Sequence, residues 1–188
     1  GQDAQLGVYG TSYISLNNTS ISAEVQISTG SVANIKSSTL NAVESDGYAL
    51  SLDRNSHGEL EESTVNGKIS LWQSSTLDEK NSTINCSATY SCIVSNNSGL
   101  AMSGTTITCS DTTSTCVSVS NSSHLNLNDA TITGGQYNAI ELSYSSSGEI
   151  RDTTITANGT TGGINLRKNS SLRVENTNVQ ASDGTALY

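Results

Sequence analysis

Glu59, Glu61 and Asp78 are spaced so that three carboxylates would lie side by side on one face of neighbouring repeat units. Stacked carboxylates can perform general acid and base work, as in glycoside hydrolysis, or supply hard oxygen ligands to calcium. A solvated acidic face has the same signature. Trp72, the single tryptophan, follows the inward Leu71, so strand alternation turns it outward. There an indole can stack on a sugar ring or anchor a partner, unless a loop from the next corner covers it. Four of the eight basic residues, Arg151, Arg167, Lys168 and Arg173, fall in the last two units. They read either as a small cationic patch for an anionic glycan or as cross-strand partners of Glu149 and Glu175. His57 and His124 both precede a strand at a turn and read as exposed rather than catalytic.

A repeat holds these residues in place. The phrase (Ser/Thr/Ala)-Thr-(Leu/Val/Ile) returns every 19 to 25 residues, at 38–40, 63–65, 82–84, 105–107, 130–132 and 153–155, with weaker ends at 19–21 and 177–179. Such a period marks a solenoid or an array. Five residues before most anchors stands another apolar residue (Leu16, Ile35, Leu60, Met102, Leu127, Ile150, Val174), and an alternating apolar pair follows, as in Leu50/Leu52 and Ile140/Leu142. Each unit predicts three short strands separated by Asn, Ser, Gly and Asp, which describes a parallel β-helix. The inward column is then Ile21, Leu40, Val65, Ile84, Ile107, Ile132, Ile155 and Val179. Length variation concentrates between the first and second strands of the unit. Proline is absent, which suits strands whose every N–H enters a ladder. An outward Thr-x-Thr rank at 106/108, 131/133 and 154/156 resembles those of ice-binding solenoids. Neighbouring coils break it, and threonine is simply a good strand residue.

Composition sets bounds. Residues 1–188 read as one domain, and 34% hydrophobic content with 4% aromatics and no Phe predicts a narrow aliphatic core. A net charge of −9 without a basic stripe argues against nucleic acid as a partner. No apolar run is long enough to span a bilayer and no secretory signal opens the chain, which begins and ends in mid-pattern. A fragment of a longer protein is expected. Residues 44–79 hold eight carboxylates against Arg54 and Lys68, a polarity that would allow salt-screened self-association. Cys86 and Cys92 bracket the variable corner of one unit, and Cys109 and Cys116 that of the next. The local pairing, 86 with 92 and 109 with 116, is preferred to the stacked pairing, 86 with 109 and 92 with 116, because a short loop closes at little entropic cost. Zinc is disfavoured, since no Cys-x-x-Cys spacing occurs and no His is nearby; no metal or other cofactor is expected. Disulfides imply an oxidising compartment.

The stretch from Arg151 through Thr154 and Ile155, the run from Gly163 to Val179 and the phrase from Leu125 to Gly135 resemble the coils of pertactin-like passenger domains of bacterial autotransporters. The resemblance covers the chain from about residue 6 to the end and is one of pattern. It implies an all-β, right-handed three-sided parallel β-helix (solenoid), here about eight coils of 19–25 residues. It further implies a protein secreted to the bacterial cell surface through a C-terminal outer-membrane barrel absent from this chain. Many members are adhesins or mediate aggregation, and close-spaced cysteine pairs fit the family. The expectation is a non-enzymatic adhesin that binds a host surface glycan, an extracellular-matrix protein or its own copies, with Trp72, Arg151, Arg167, Lys168, Arg173, Glu59, Glu61 and Asp78 as candidate contacts. The alternative is a β-helix lyase or hydrolase acting on an anionic polysaccharide. The Asp-Asp, Gly-His-Gly and Arg-Ile-Lys motifs of polygalacturonases do not occur, nor does the Gly-Asp-Ser-Gly motif of protease-bearing passengers.

Overall fold

Short strands at a fixed offset from one another stack when the chain turns between them by a constant amount. A computed structural model describes residues 4–44, 47–86, 90–110, 115–158, 162–182 and 185–187. Among these, 25 strands form three sheets and there is no helix. Sheet one has nine strands, from Gln5–Val8 to Thr185–Leu187. Sheet two has eight, from Tyr13–Asn17 to Ser171–Glu175, and sheet three has eight, from Ser20–Ser22 to Asn178–Ala181. Every strand pairs in parallel with its counterpart one coil away, for example Tyr13 with Val32 and Val32 with His57. The result is a three-sided parallel β-helix with the right-handed sense that parallel crossovers take. Eight strands are separated by seven coil-to-coil steps, so the solenoid makes about seven turns, slightly under the count read from the repeat.

The core is a set of ranks in register. In sheet three, Leu40, Val65, Ile84, Ile107, Ile132 and Ile155 stack at 0% exposure, while the end members Ile21 and Val179 are only partly covered. Sheet one contributes Val25, Leu50, Ile69, Cys92, Val117 and Ile140. Sheet two contributes Ile35, Leu60, Glu79, Met102, Leu127 and Ile150, a hydrocarbon rank interrupted by one carboxyl.

Two of the three corners keep a constant length. Between sheets one and two the chain turns through a pair of left-handed residues, such as Arg54 and Asn55 (φ 55° and 60°) or Gln73 and Ser74 (φ 52° and 65°). Between sheets two and three a single left-handed residue suffices: Asn18, Asn81, Asp129, Asp152 and Asn176 among others, with φ between 49° and 51°. Asn and Asp enter that region most readily among residues with side chains, which is why they punctuate the repeat. Most of these turns are followed by a buried serine or threonine, such as Ser38, Ser63, Ser82, Ser98 and Ser123. The Ser38 N–H donates to Ser63 Oγ at 3.0 Å and the Ser63 N–H to Ser82 Oγ at 3.1 Å, while Ser63 Oγ donates to the Glu61 carbonyl at 2.7 Å. A second ladder runs down the other constant corner, where the Ser98 N–H reaches Ser123 Oγ at 3.2 Å and the Ser123 N–H reaches Ser146 Oγ at 3.3 Å. These hydroxyls satisfy turn amides that the sheets cannot reach.

All length variation falls at the third corner, between sheets three and one. Asn66 and Lys68 there are separated by Gly67 alone, whereas Thr133 and Asn138 are separated by four residues. Cys109 and Cys116 are joined across this corner with Cα atoms 5.9 Å apart. That bond rules out the stacked pairings and realises one of the two local ones. Cys86 and Cys92 are buried thiols, which corrects the expected 86–92 bridge. Register gives the reason: Cys92 pairs with Val117, so it occupies the inward core rank, one position beyond the equivalent of Cys116. Cys86 instead donates its thiol to the Gly67 carbonyl at 2.6 Å.

Candidate functional site: a trough across sheet two

Most strands of sheet two present at least one long or branched side chain outward. Gly99–Ser103 is the strand whose outward residues, Gly99, Ala101 and Ser103, are all small. On one side it is paired with Thr76, Asp78 and Lys80, and on the other with His124, Asn126 and Asn128. Strands lie about 4.8 Å apart, so taller neighbours flank a transverse trough of about 430 Å³, whose lining includes Glu59, Asp78, Lys80, Ala101, Asn126 and Asn128. A Cβ added at Gly99 would meet Thr76 Cγ2 at 3.5 Å, an ordinary contact. Neither backbone nor packing requires glycine there; the floor of the trough is Ala101 and Ser103.

Of the candidate residues taken from the sequence, the trough gathers Glu59, Glu61 and Asp78. Asp78 is in register with Glu59 and Lys80 with Glu61. The Glu59 carboxylate accepts from Asn34 Nδ2 at 2.9 Å and lies 3.7 Å from His57 Nε2. Glu61 accepts from Lys36 Nζ at 2.9 Å. That hydrogen bond, with the attraction of the opposite charges, holds the Glu61 carboxyl below its ordinary value and Lys36 above its own. Asp78 is exposed on the wall of the trough. Asn126 and Asn128 complete the opposite wall. Sequence reasoning did not select them, because an Asn in so Asn-rich a chain carries no individual signal.

The basic residues separate into two groups. Arg151 and Arg173 lie on sheet two in a lattice with Glu149 and Glu175: Arg151 Nη2 to Glu149 Oε1 at 2.6 Å, Arg173 Nη1 to Glu149 Oε1 at 3.0 Å, Arg173 Nη2 to Glu175 Oε2 at 3.1 Å and Arg151 Nε to Glu175 Oε2 at 3.5 Å. Two cations with two anions leave no net positive patch. Arg167 and Lys168 stand instead at the corner between sheets one and two, where Lys168 lies 4.1 Å over the Tyr144 ring and donates to its hydroxyl at 2.8 Å. Trp72 occupies the same corner several coils away; it is 40% exposed, so no loop covers it, but it does not line the trough.

Beneath the trough lies a residue the sequence reading passed over. Glu79 shares the strand Thr76–Lys80 with Asp78 and Lys80 but points inward, and it is 3% exposed. Neither carboxyl oxygen has a hydrogen-bond partner. Loss of hydration pushes its carboxyl up to about 8. Burial, with the nearby Cys86 and Glu79, also pushes the Cys92 thiol well up. The signal was present: Glu79 stands five residues before the anchor Ile84, where the other coils carry a hydrophobe. Among the described residues, no group of three His, Cys, Asp or Glu could hold a metal ion.

Sheet three differs from sheet two in carrying no outward charge among its described residues. Asn85 Nδ2 donates to Asn66 Oδ1 at 3.0 Å and Asn66 Nδ2 to Asn41 Oδ1 at 2.8 Å, and an unbroken rank of Thr39, Thr64, Thr83, Thr106, Thr131 and Thr154 runs beside this amide ladder.

Residues 107–188 match the family model described as a right-handed β-helix region. The chain is a β-helix domain. The matched segment and the coils before it share one register, so the β-helix includes the trough. No curated protein and no solved structure matches the chain. β-Helices serve both as enzymes and as binding proteins, so activity must be argued from the surface of this one.

Proposed function

We propose that this β-helix is a non-catalytic adhesive module of a bacterial surface protein, of the autotransporter-passenger kind, and that it holds a glycan across the sheet-two trough. The carrying observation is the small-residue floor of Ala101 and Ser103 between walls of carboxylate and amide side chains. Fixed carboxylates accept from sugar hydroxyls, amides both donate and accept, and a methyl floor suits the apolar face of a pyranose ring. Glu59, Glu61 and Asp78 make the walls acidic, and Arg151 and Arg173 are held by Glu149 and Glu175. The trough therefore suits a neutral or amino-sugar glycan rather than an anionic one, which also counts against a lyase for anionic polysaccharide. The Cys109–Cys116 bond fits an oxidising, extracytoplasmic setting.

A glycan array spanning neutral, amino and acidic sugars tests this reading. Ala101→Leu, which fills the trough from an outward position, is expected to weaken binding at least about tenfold. Undiminished binding by Ala101→Leu discards the trough, and turnover of a polysaccharide abolished by Asp78→Ala discards the non-catalytic reading. A second reading, self-association, is favoured by one observation: on a molecule of net charge −9, sheet three offers a face along which two copies can meet without facing carboxylates.

A further inference from the structure

We propose that Glu79 is a pH-operated latch beneath the trough: protonated, it stays in the core and holds the strand Thr76–Lys80 in register; ionised, it leaves the core and releases that strand. The placement follows from the register, in which Glu79 lies between Leu60 and Met102 in a rank otherwise filled by hydrocarbon. Its carboxyl is buried and both oxygens are without partners. A carboxylate in that position would have neither hydration nor a counter-charge, an expensive state that ionisation would have to relieve by movement.

The groups facing Glu79 from each packed element support this. From sheet two the neighbours are Leu60 and Met102. From sheet one, Cys92 interacts with it, and Cys86 of sheet three in turn faces Cys92. Both are thiols, so no described cation faces Glu79 from these elements. Asp78 and Lys80, on the same strand, point to the opposite side of the sheet and wall the trough. Strand alternation leaves Glu79 one route to water: a local flip that would turn Asp78 and Lys80 out of their places. The functional consequence, loss of the trough wall in alkali, rests on the glycan-binding reading; the latch itself does not.

Trp72 lies in the same coil, between the strands Lys68–Leu71 and Thr76–Lys80, and as the single tryptophan it reports on that coil alone. Urea unfolding of the whole chain followed by Trp72 fluorescence, with amide exchange of residues 76–80, is measured from about pH 5 to about pH 9.5. The wild-type midpoint and the protection of these amides should fall as pH rises between 4.5 and about 8, a fall absent in Glu79→Gln and Glu79→Leu. The same fall in Glu79→Gln would overturn the latch. If the variants do not fold, the wild-type protein decides: a protonated carboxyl carbonyl band in its infrared spectrum at neutral pH, lost as residues 76–80 lose protection, supports the latch, and its absence overturns it. Failure of the latch leaves the Ala101→Leu effect on glycan binding intact, and failure of the trough reading leaves the pH-dependent exchange intact.

Discussion

Glu79 puts a carboxyl where the coils on either side put leucine and methionine, and the sign of its effect is fixed. Its proton is held in the folded state above the ordinary 4.5 and up to about 8, so the folded chain binds more protons than the unfolded one throughout that window and stability declines as pH rises through it. The difference of about 3.5 (8 − 4.5) corresponds to roughly 5 kcal/mol lost by pH 9 relative to pH 4. Glu79→Leu should recover most of this at pH 9, and urea denaturation at the two pH values checks it. A different cost attaches to the buried hydroxyls. Ser63→Ala strands the Ser38 N–H and should destabilise by about 1 to 3 kcal/mol, read as a shift in thermal midpoint. These two residues mark what was legible at this scale. Glu79 breaks a repeat and stands out once the coils are set in register. Ser63 looks like any turn-filling serine, because whether its hydroxyl faces water or a neighbouring amide depends on a stacking that one coil does not reveal.

At the level of strands, the order of sheets and the inward ranks were readable because the side-chain period is two and both constant corners preserve the offset between strands. Ile107, fully buried in the middle of its rank, tests the stacking: Ile107→Ala should cost about 2 to 5 kcal/mol in chemical denaturation. The 86–92 pairing was misread because Cys86 and Cys92 were placed by the loop they bracket, whereas register puts Cys92 in the core rank opposite Val117. The bridge that does form closes a loop of sequence separation 7, for which chain entropy predicts about 2 to 3 kcal/mol of stabilisation. Cys109→Ala with Cys116→Ala should lose that amount relative to the oxidised protein. The trough itself was half visible. Its carboxylates stood out by charge, but its floor consists of residues notable only for being small, and a depression exists only relative to taller neighbours one coil away.

Taken whole, the molecule distributes charge unevenly over its three sides. Sheet two carries ranks of acid, amide and ion pair, whereas the outward side of sheet three is hydroxyl and amide throughout its described residues. If copies meet through sheet three, sedimentation should show association that raised salt leaves largely unchanged, and Thr106→Glu with Thr131→Glu should abolish it; association that salt dissolves would locate the contact on a charged side instead. The single elastic corner has a consequence for how such a protein can change. Because the other two corners keep a constant length, residues added between Gly135 and Tyr137 would shift no rank in any sheet. Lengthening a loop costs only about 0.6 kcal/mol per doubling. The scaffold can therefore accept a foreign epitope on one edge and still wind to the same pitch, so one line of the solenoid is open to diversification while the remainder stays fixed.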